Sequence, residues 1–224
     1  MSLRQLNFDV EALGAIAAKA SGASECNEIE VIGEGRSDFV PETILPLNPF
    51  PGTFNRVFRL GLDNGNDVVA RIPFRNAGPR SLLTRSEVAT MDFVRSRIGA
   101  PAPKVLAWDA SPDNNVGCEY IIMDKCEGVI LANVSDTSSD SCHYISNIAN
   151  LLSGLGGIPF SQYGSIYYKE DVDPILQARP LYAEGQPPDD CSERFRVGPS
   201  VERRFYRGER SRLLIDRGPC KNSP

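Results

Sequence analysis

Alternating hydrophobic and polar residues in the first half of the chain predict a small antiparallel sheet. Two strands are expected at 54–60 and 67–72, because Asp63, Asn64 and Gly65 between them are typical of a hairpin turn. Further strands are expected at 30–32, 104–108 and 119–123. The pattern therefore indicates an α+β fold built around a hairpin.

Apolar residues at helical spacing predict three helices, at 8–20, 81–98 and 144–155. The first is Ala-rich, and its apolar positions are Val10, Leu13, Ile16 and Ala17. In the second, one face is expected to carry Glu87, Met91, Val94 and Ile98. This second helix is the one expected to pack on the sheet.

The pattern weakens after Gly128. Beyond Pro159 only 165–168 and 212–215 suggest order. The tail from about Asp171 is rich in Pro, Arg and Glu, and 171–192 is expected to be irregular and exposed. Residues 36–52 contain four prolines and are also expected to be irregular and exposed.

Composition narrows the class of protein only modestly. The 224 residues are 41% hydrophobic and 24% charged, and the net charge of −5 argues against a nucleic-acid partner. No apolar run reaches the roughly 18 residues that a membrane span needs. The oligomeric state stays open.

Cysteine usage and the N-terminus bear on location. The six cysteines show no C-x-x-C spacing, which favours reduced thiols in an intracellular compartment; they are Cys26, Cys118, Cys126, Cys142, Cys191 and Cys220. No secretory signal is visible, and Asp9 and Glu11 disfavour a mitochondrial presequence. The cytoplasm is therefore the favoured location, with the mitochondrion as the alternative.

Glu87 is a carboxylate on an otherwise apolar helix face, so it needs a cation if it is buried. Arg71, on the strand that precedes the helix, is the natural partner. A strand cation held by a helix glutamate is the arrangement with which kinases orient nucleotide phosphates. The alternative is a capping box in which Glu87 bonds back to the backbone of Thr84.

Six segments in order resemble the fungal aminoglycoside phosphotransferase family, which has a protein-kinase-like fold and includes altered inheritance of mitochondria protein 9. They are 33–35, 54–58, 68–73, 86–91, 103–105 and 119–123. The resemblance covers roughly residues 8–217, since 197–203 and 216–219 also look like that family. It implies a kinase-like small lobe at 1–126 and an incomplete, helical large lobe with a weakly ordered tail at 127–224.

The resemblance also implies a nucleotide as small-molecule partner, ATP with Mg²⁺, and phosphoryl transfer to a small hydroxylated acceptor. Arg71, held by Glu87, would bind phosphates. The hinge around Met123, Lys125 and Cys126 would read adenine through its backbone, and Gly128 would let the chain turn. The loop that contains Gly33, Gly35, Phe54 and Asn55 would cover the phosphates.

Two departures count against catalysis by this chain. Residues 36–52 interrupt the Gly-rich loop, either as an unspliced intron or other insertion or as a genuine long loop. The chain has one histidine, His143, and no His-x-Asp followed by a nearby Asn, so it lacks the expected base and metal ligands. His143 is expected on a helix surface and Asp124 in solvent, while the arginines of 194–217 suggest a mixed, solvated surface.

No catalytic residue and no metal ligand is therefore assigned. The leading interpretation is an inactive part of a phosphotransferase. The alternatives are a non-catalytic module that binds a nucleotide or a partner, as in a pseudokinase, and a mis-spliced or truncated gene product.

Overall fold

The computed structural model describes residues 7–33, 54–128 and 138–220. The backbone forms two compact units. The first contains the chain up to Val88 with Lys104–Lys125 and Val201–Leu213, and the second contains Ala89–Pro103, Cys126–Ser200 and the chain from Leu214. Residues 36–52 and Gly35 lie outside the described residues, so the expectations for them are untested.

A five-stranded antiparallel sheet dominates the first unit, in the order β1-β2-β3-β5-β4. The strands are β1 (Cys26–Gly33), β2 (Asn55–Leu62), β3 (Asp67–Pro73), β4 (Val105–Asp109) and β5 (Tyr120–Asp124). The α+β class and the expected strands are confirmed, although β1 begins earlier than its short apolar core suggested.

The hairpin between β2 and β3 is set by its turn. The Leu62 N–H donates to the Asn66 carbonyl at 2.9 Å, and the Asn66 N–H donates to the Asn64 side-chain oxygen at 3.0 Å. Gly65 has a φ of 81°, a conformation that glycine adopts without steric strain. The register that follows places Arg71 opposite Val57.

Helix α1 (Val10–Ala20) covers one face of this sheet. Asp9 caps it, since its carboxylate accepts from the Ala12 N–H at 2.9 Å. Leu13 and Ala17 are fully buried against residues of β2 and β3, as their spacing predicted. Val10 is exposed, so the expected apolar face was wrong at its first position.

Helix α2 (Leu82–Ile98) buries a different face from the expected one. Its most buried large side chains are Thr84, Val88 and Phe93, whereas the expected face is only partly buried; that face comprises Glu87, Met91, Val94 and Ile98. Two long-range contacts that apolar spacing cannot reveal lie on this face: the Thr84 hydroxyl binds a buried carboxylate, and Phe93 packs in an aromatic core with Phe195. The helix therefore presents Glu87 at the margin of its packed face.

The second unit contains α3 (Ser138–Gly156), β6 (Ser165–Tyr168), α4 (Asp190–Arg194) and β7 (Phe195–Gly198). β6 and β7 pair antiparallel. The helix expected at 144–155 is confirmed and begins earlier. Residues 212–215 were expected to be ordered, but Leu214 and its neighbours are exposed and lie in no helix or strand beyond the 3₁₀ turn that ends at Arg212.

A hydrophobic core occupies the second unit where the sequence indicated weak order. Leu181, Tyr182 and Cys191 are buried together with Phe93 and Phe195. The expectation that 171–192 is exposed was therefore wrong, although its backbone is mostly irregular. Dispersed aromatic residues form this core, and the rings of Phe93 and Phe195 meet edge to face at 5.5 Å. Such a core has no sequence period to reveal it.

Helix α3 leaves an apolar face exposed among the residues that the structure describes. Its exposed large side chains are Tyr144, Ile145, Ile148, Leu151, Leu152 and Leu155. No helix in the described ranges is both long enough and apolar enough to cross a membrane.

Candidate functional site

Arg71 and Glu87 form the expected ion pair. The Arg71 Nη2 lies 2.7 Å from the Glu87 Oε1, and each side chain is about a quarter exposed, at 27% and 26%. Alternation along β3 turns Arg71 away from the face that packs on α1, because Ala70 and Ile72 occupy that face. The pair therefore lies on the opposite face of the sheet.

The capping-box alternative was wrong. The Thr84 Oγ1 donates to the Glu119 Oε2 at 2.7 Å, and Glu87 accepts from Arg71 rather than from the Thr84 backbone. Thr84 is fully buried and Glu119 is only 9% exposed, so this is an interior polar bond. Sequence reasoning did not assign Glu119 a role, although a carboxylate directly before the apolar strand β5 was a usable signal.

The electrostatics of Glu87 are set by burial. Desolvation raises the pKa of Glu87 above its ordinary value, the adjacent Arg71 opposes that rise, and the Glu119 carboxylate adds to it. The Glu87 and Glu119 carboxylates are thus close enough to repel each other, and Arg71 compensates the charge of Glu87.

Only part of the Arg71 guanidinium is used. One of its N–H groups donates to Glu87, and within residues 7–33, 54–128 and 138–220 no other acceptor engages it. A guanidinium presents several N–H donors in a planar fork, which suits bidentate binding of phosphate or carboxylate. The unused donors can therefore receive an anionic ligand.

The expected hinge residues lie at and after the end of β5. Met123 is buried and its backbone pairs with Val69. Lys125 places its Nζ 2.6 Å from the Asp67 carboxylate, and the Lys125 hydrogen bond is the main cause that lowers the pKa of Asp67. Lys125 is thus engaged in an ion pair, while its backbone follows the last paired residue of the strand.

Cys126 is exposed. All six cysteines are free of disulfides. Asp124 is exposed, as expected. Gly128 has a φ of 144°, a conformation that favours glycine, and the turn expected after it lies outside the described residues. His143 lies exposed on α3, where its ring nitrogen is 3.1 Å from the Asn147 amide, so its expected surface position is confirmed.

The segment expected to form a glycine-rich loop lies only partly within the described residues. Gly33 ends β1 and pairs with Val57 across an irregularity in the register. Asn55 begins β2, and its buried side-chain oxygen has no hydrogen-bond partner within the described ranges. Phe54, just before it, carries the Arg203 guanidinium 3.3 Å above its ring centroid.

The contact with Phe54 corrects part of the expectation for 194–217. Arg204 and Arg212 pair with Glu202 and Glu209 in a mixed surface, as expected. Arg203 is instead half-buried against an aromatic ring, and desolvation is the main cause that lowers its pKa. A sequence pattern of mixed charge gave no sign of this long-range contact.

The chain is similar to two groups of fungal proteins. It is 41% identical over 175 residues to a subtelomeric hrmA-associated cluster protein of Aspergillus fumigatus, which covers 77% of this chain and 32% of that protein. It is 30% identical over 190 residues to the mitochondrial protein "altered inheritance of mitochondria protein 9" of Candida tropicalis, covering 80% of this chain and 30% of that protein.

The corresponding protein of Candida albicans is 28% identical over 193 residues, covering 82% of this chain and 30% of that protein. The expected similarity to altered inheritance of mitochondria protein 9 is thus confirmed. The chain spans about a third of the length of the curated relatives it matches. No family profile and no solved structure gives a significant match, so the phosphotransferase assignment stays a prediction.

Proposed function

We propose that this chain is the nucleotide-binding part of a kinase-like phosphotransferase and that, in the form of these 224 residues, it binds ATP without transferring phosphate. The partly used guanidinium of Arg71, held by Glu87 on a sheet face, is the observation that supports this proposal most directly. The resemblance of six ordered segments supplies the reaction class, phosphoryl transfer to a small hydroxylated acceptor.

The role of Arg71 follows from its geometry. Glu87 fixes one side of the guanidinium, and the N–H donors that no described residue engages can bind two phosphate oxygens side by side. Fixing the cation in advance reduces the entropy lost when the ligand binds. In this proposal the backbone after Met123 reads the adenine, and Gly33, Phe54 and Asn55 border the phosphates.

Binding without turnover follows from what the sequence lacks. Phosphoryl transfer relies on a positioned base and on metal that neutralises developing charge. The single histidine is exposed on α3, and in the described ranges no group of three carboxylate, thiol or imidazole side chains converges to hold a metal. Mg²⁺ would therefore enter bound to the nucleotide, through its phosphates and water.

The location belongs to the same proposal. The relatives from Candida are named as mitochondrial, and we propose the mitochondrion for this chain in place of the cytoplasm. Fractionation of cells that express the tagged protein from its natural gene tests this, with recovery outside mitochondria as the contrary result.

Calorimetric titration with ATP and Mg²⁺ tests the proposal. The wild-type chain should bind saturably and release no ADP, and Arg71→Ala should weaken binding at least about tenfold, since truncating one member of a partly buried charge pair commonly costs 2 kcal/mol or more. Arg59→Ala is the matched control, because Arg59 is a neighbouring strand arginine whose partners are all protein carboxylates.

Two results would contradict the proposal. One is the absence of saturable ATP binding by the folded wild-type chain. The other is equal affinity in the wild type and in Arg71→Ala. Arg71→Lys keeps the charge but loses the planar fork, and an intermediate affinity in this variant would show that the effect is not a general loss of folding.

A further inference from the structure

A cavity lies in the first unit, at the loop that joins β3 to α2. Its volume is about 210 Å³. Most of the wall comes from Pro73 at the end of β3 and from the loop, including Phe74 and Pro79. Leu83 of α2, Pro112 and the 117–119 segment before β5 line the rest. Arg71, the cation of the proposed nucleotide site, does not line this cavity.

The charge of the lining is unbalanced. Arg75 and Arg80 both line the cavity, both are exposed, and neither has a carboxylate partner in the part of the chain that the structure describes. The opposing charge is Glu119, but it is nearly buried and already accepts the Thr84 hydroxyl. The accessible charge of the cavity is therefore positive.

The thiol in the wall adds no negative charge. Cys118 lines the cavity, and burial, followed by the nearby Glu119 carboxylate, raises the pKa of Cys118 to about 12. The thiol is thus protonated at neutral pH. It behaves as a small apolar wall.

Hydrogen bonds with residues outside the cavity hold the loop that carries Arg75 and Arg80. The Phe74 N–H donates to the Phe54 carbonyl at 2.7 Å and the Ala77 N–H donates to the Phe74 carbonyl at 2.9 Å. Arg203 donates to the Asn76 carbonyl at 3.3 Å while its guanidinium rests on the Phe54 ring. Arg203 is therefore a positioning residue for this loop.

We propose that this cavity is a binding site for a small organic anion, a phosphate or carboxylate with a compact apolar body, separate from the proposed nucleotide site. Arg75 and Arg80 bind the anionic group, since guanidinium forks match the oxygens of both classes. Phe74, Leu83 and the prolines contact the apolar body. The volume lies below the usual range for drug-sized ligands, roughly 300–1,000 Å³, which limits the ligand to a small molecule.

The site also connects to the ion pair of the first unit. Leu83 and Thr84 are neighbours near the start of α2, and Glu87 follows one turn later. A ligand that packs on Leu83 beside the Thr84–Glu119 bond contacts the turn of α2 that positions Glu87. Occupancy of the cavity is therefore expected to alter the ATP affinity in wild type.

The test titrates the full chain with phenyl phosphate, benzoate and inorganic phosphate, followed by two-dimensional amide NMR spectra. We expect saturable binding of phenyl phosphate or benzoate, at least about fivefold tighter than that of inorganic phosphate, with the largest shifts at residues 74–83 and 117–119. The better of the two organic probes identifies the anionic group.

Three variants make the test specific. Arg75→Ala with Arg80→Ala should weaken the organic probe at least about tenfold. Lys19→Ala with Lys104→Ala, two exposed cations of the same unit outside the cavity, should leave it within about twofold. Gly78→Val should weaken the organic probe more than inorganic phosphate, because a Cβ on Gly78 would already lie 3.2 Å from Leu83.

Three results would overturn the proposal. They are no saturable binding of either organic probe, equal affinity in the double arginine variant, and displacement of the probe by ATP together with an equal loss in Arg71→Ala. The last result would merge this site with the nucleotide site. Failure of ATP to bind leaves the probe titrations unaffected, so the two proposals fail separately.

Discussion

Two arginines on neighbouring strands of the sheet are held in different ways. Arg59 on β2 donates to three carboxylates, those of Glu28 at 2.6 Å, Glu30 at 2.9 Å and Asp67 at 3.1 Å. These hydrogen bonds raise the pKa of Arg59, and the one to Glu30 contributes most, followed by the one to Glu28. Arg71 on β3 donates to one carboxylate among the residues that the structure describes, that of Glu87. Both side chains lie on the sheet face opposite α1, by strand alternation.

The difference separates a structural cation from a candidate ligand site. The donors of Arg59 are used by protein acceptors that are themselves mostly exposed, so its network is a surface feature of the sheet. Among the described residues Arg71 has unused donors, and its partner Glu87 lies one turn after Thr84, whose hydroxyl donates to the buried Glu119 carboxylate. Unused donors on a fixed cation, rather than positive charge alone, indicate a ligand site.

The largest expected effect concerns the buried hydrogen bond between the Thr84 hydroxyl and the Glu119 carboxylate. Thr84→Val keeps the shape of the side chain but leaves the Glu119 carboxylate without its hydroxyl donor. We expect the free energy of unfolding to fall by about 2 kcal/mol, the usual consequence of an unsatisfied buried acceptor. Urea unfolding followed by circular dichroism measures it.

Thr90→Val is the control, since Thr90 lies on the same helix, is partly buried, and its hydroxyl makes no hydrogen bond to another described residue. Its unfolding free energy should change much less. Equal losses of unfolding free energy in the two variants would mean that the Thr84–Glu119 bond does not stabilise the fold.

The second prediction compares the glutamates that hold the two arginines. Glu87→Ala should weaken ATP binding about tenfold, or about 1.4 kcal/mol, because Arg71 loses its only protein partner among the described residues. Glu28→Ala should leave ATP binding unchanged, since Arg59 retains Glu30 and Asp67. Calorimetry on both variants decides it, and similar losses would remove the distinction.

The sequence was sufficient for the local features of this comparison. Period-two alternation and the Asn64-Gly65 turn predicted the hairpin, and the register of that hairpin fixes the face of Arg71. The need of a half-buried carboxylate for a cation predicted the pair with Glu87. These inferences rest on neighbouring elements, where spacing determines geometry.

Long-range contacts could not be predicted in this way. Thr84 and Glu119 are 35 positions apart, and Arg203 reaches Asn76 from 127 positions away. The core around Leu181 and Phe195 joins irregular segments whose composition suggested exposure. In each case the partner is set by how the elements pack, which local hydrophobic patterns do not record.

The third prediction uses the raised pKa of Glu87. Protonation of Glu87 weakens its hold on Arg71, so ATP affinity should fall as the pH drops through that pKa, above the usual glutamate range near about 4.3. A raised folded-state pKa has the opposite effect on stability: the contribution is present at low pH and is lost as the pH rises through the folded-state value.

Glu87→Gln provides the reference, because it cannot titrate. Relative to this variant, the wild type should lose affinity and gain stability as the pH falls through the window between the ordinary and the raised pKa. The nucleotide phosphates titrate identically in both titrations. Parallel pH profiles for the two proteins would show that Glu87 does not control Arg71.

The smallest effect is expected at the other arginine. Arg59→Ala removes three ion pairs, yet two of the three carboxylates are more than half exposed, and pairs of this kind contribute little in water. Its urea midpoint should lie close to that of the wild type, and the small difference should shrink further in about 0.5 M NaCl, because salt screens exposed charges. Thr84→Val should keep its deficit in the same salt, since its unsatisfied acceptor is buried. A loss of stability in Arg59→Ala that persists in salt and equals that of Thr84→Val would show that the Arg59 ion pairs stabilise the fold. Arg59 would then be no weaker a contributor than the buried Thr84–Glu119 bond.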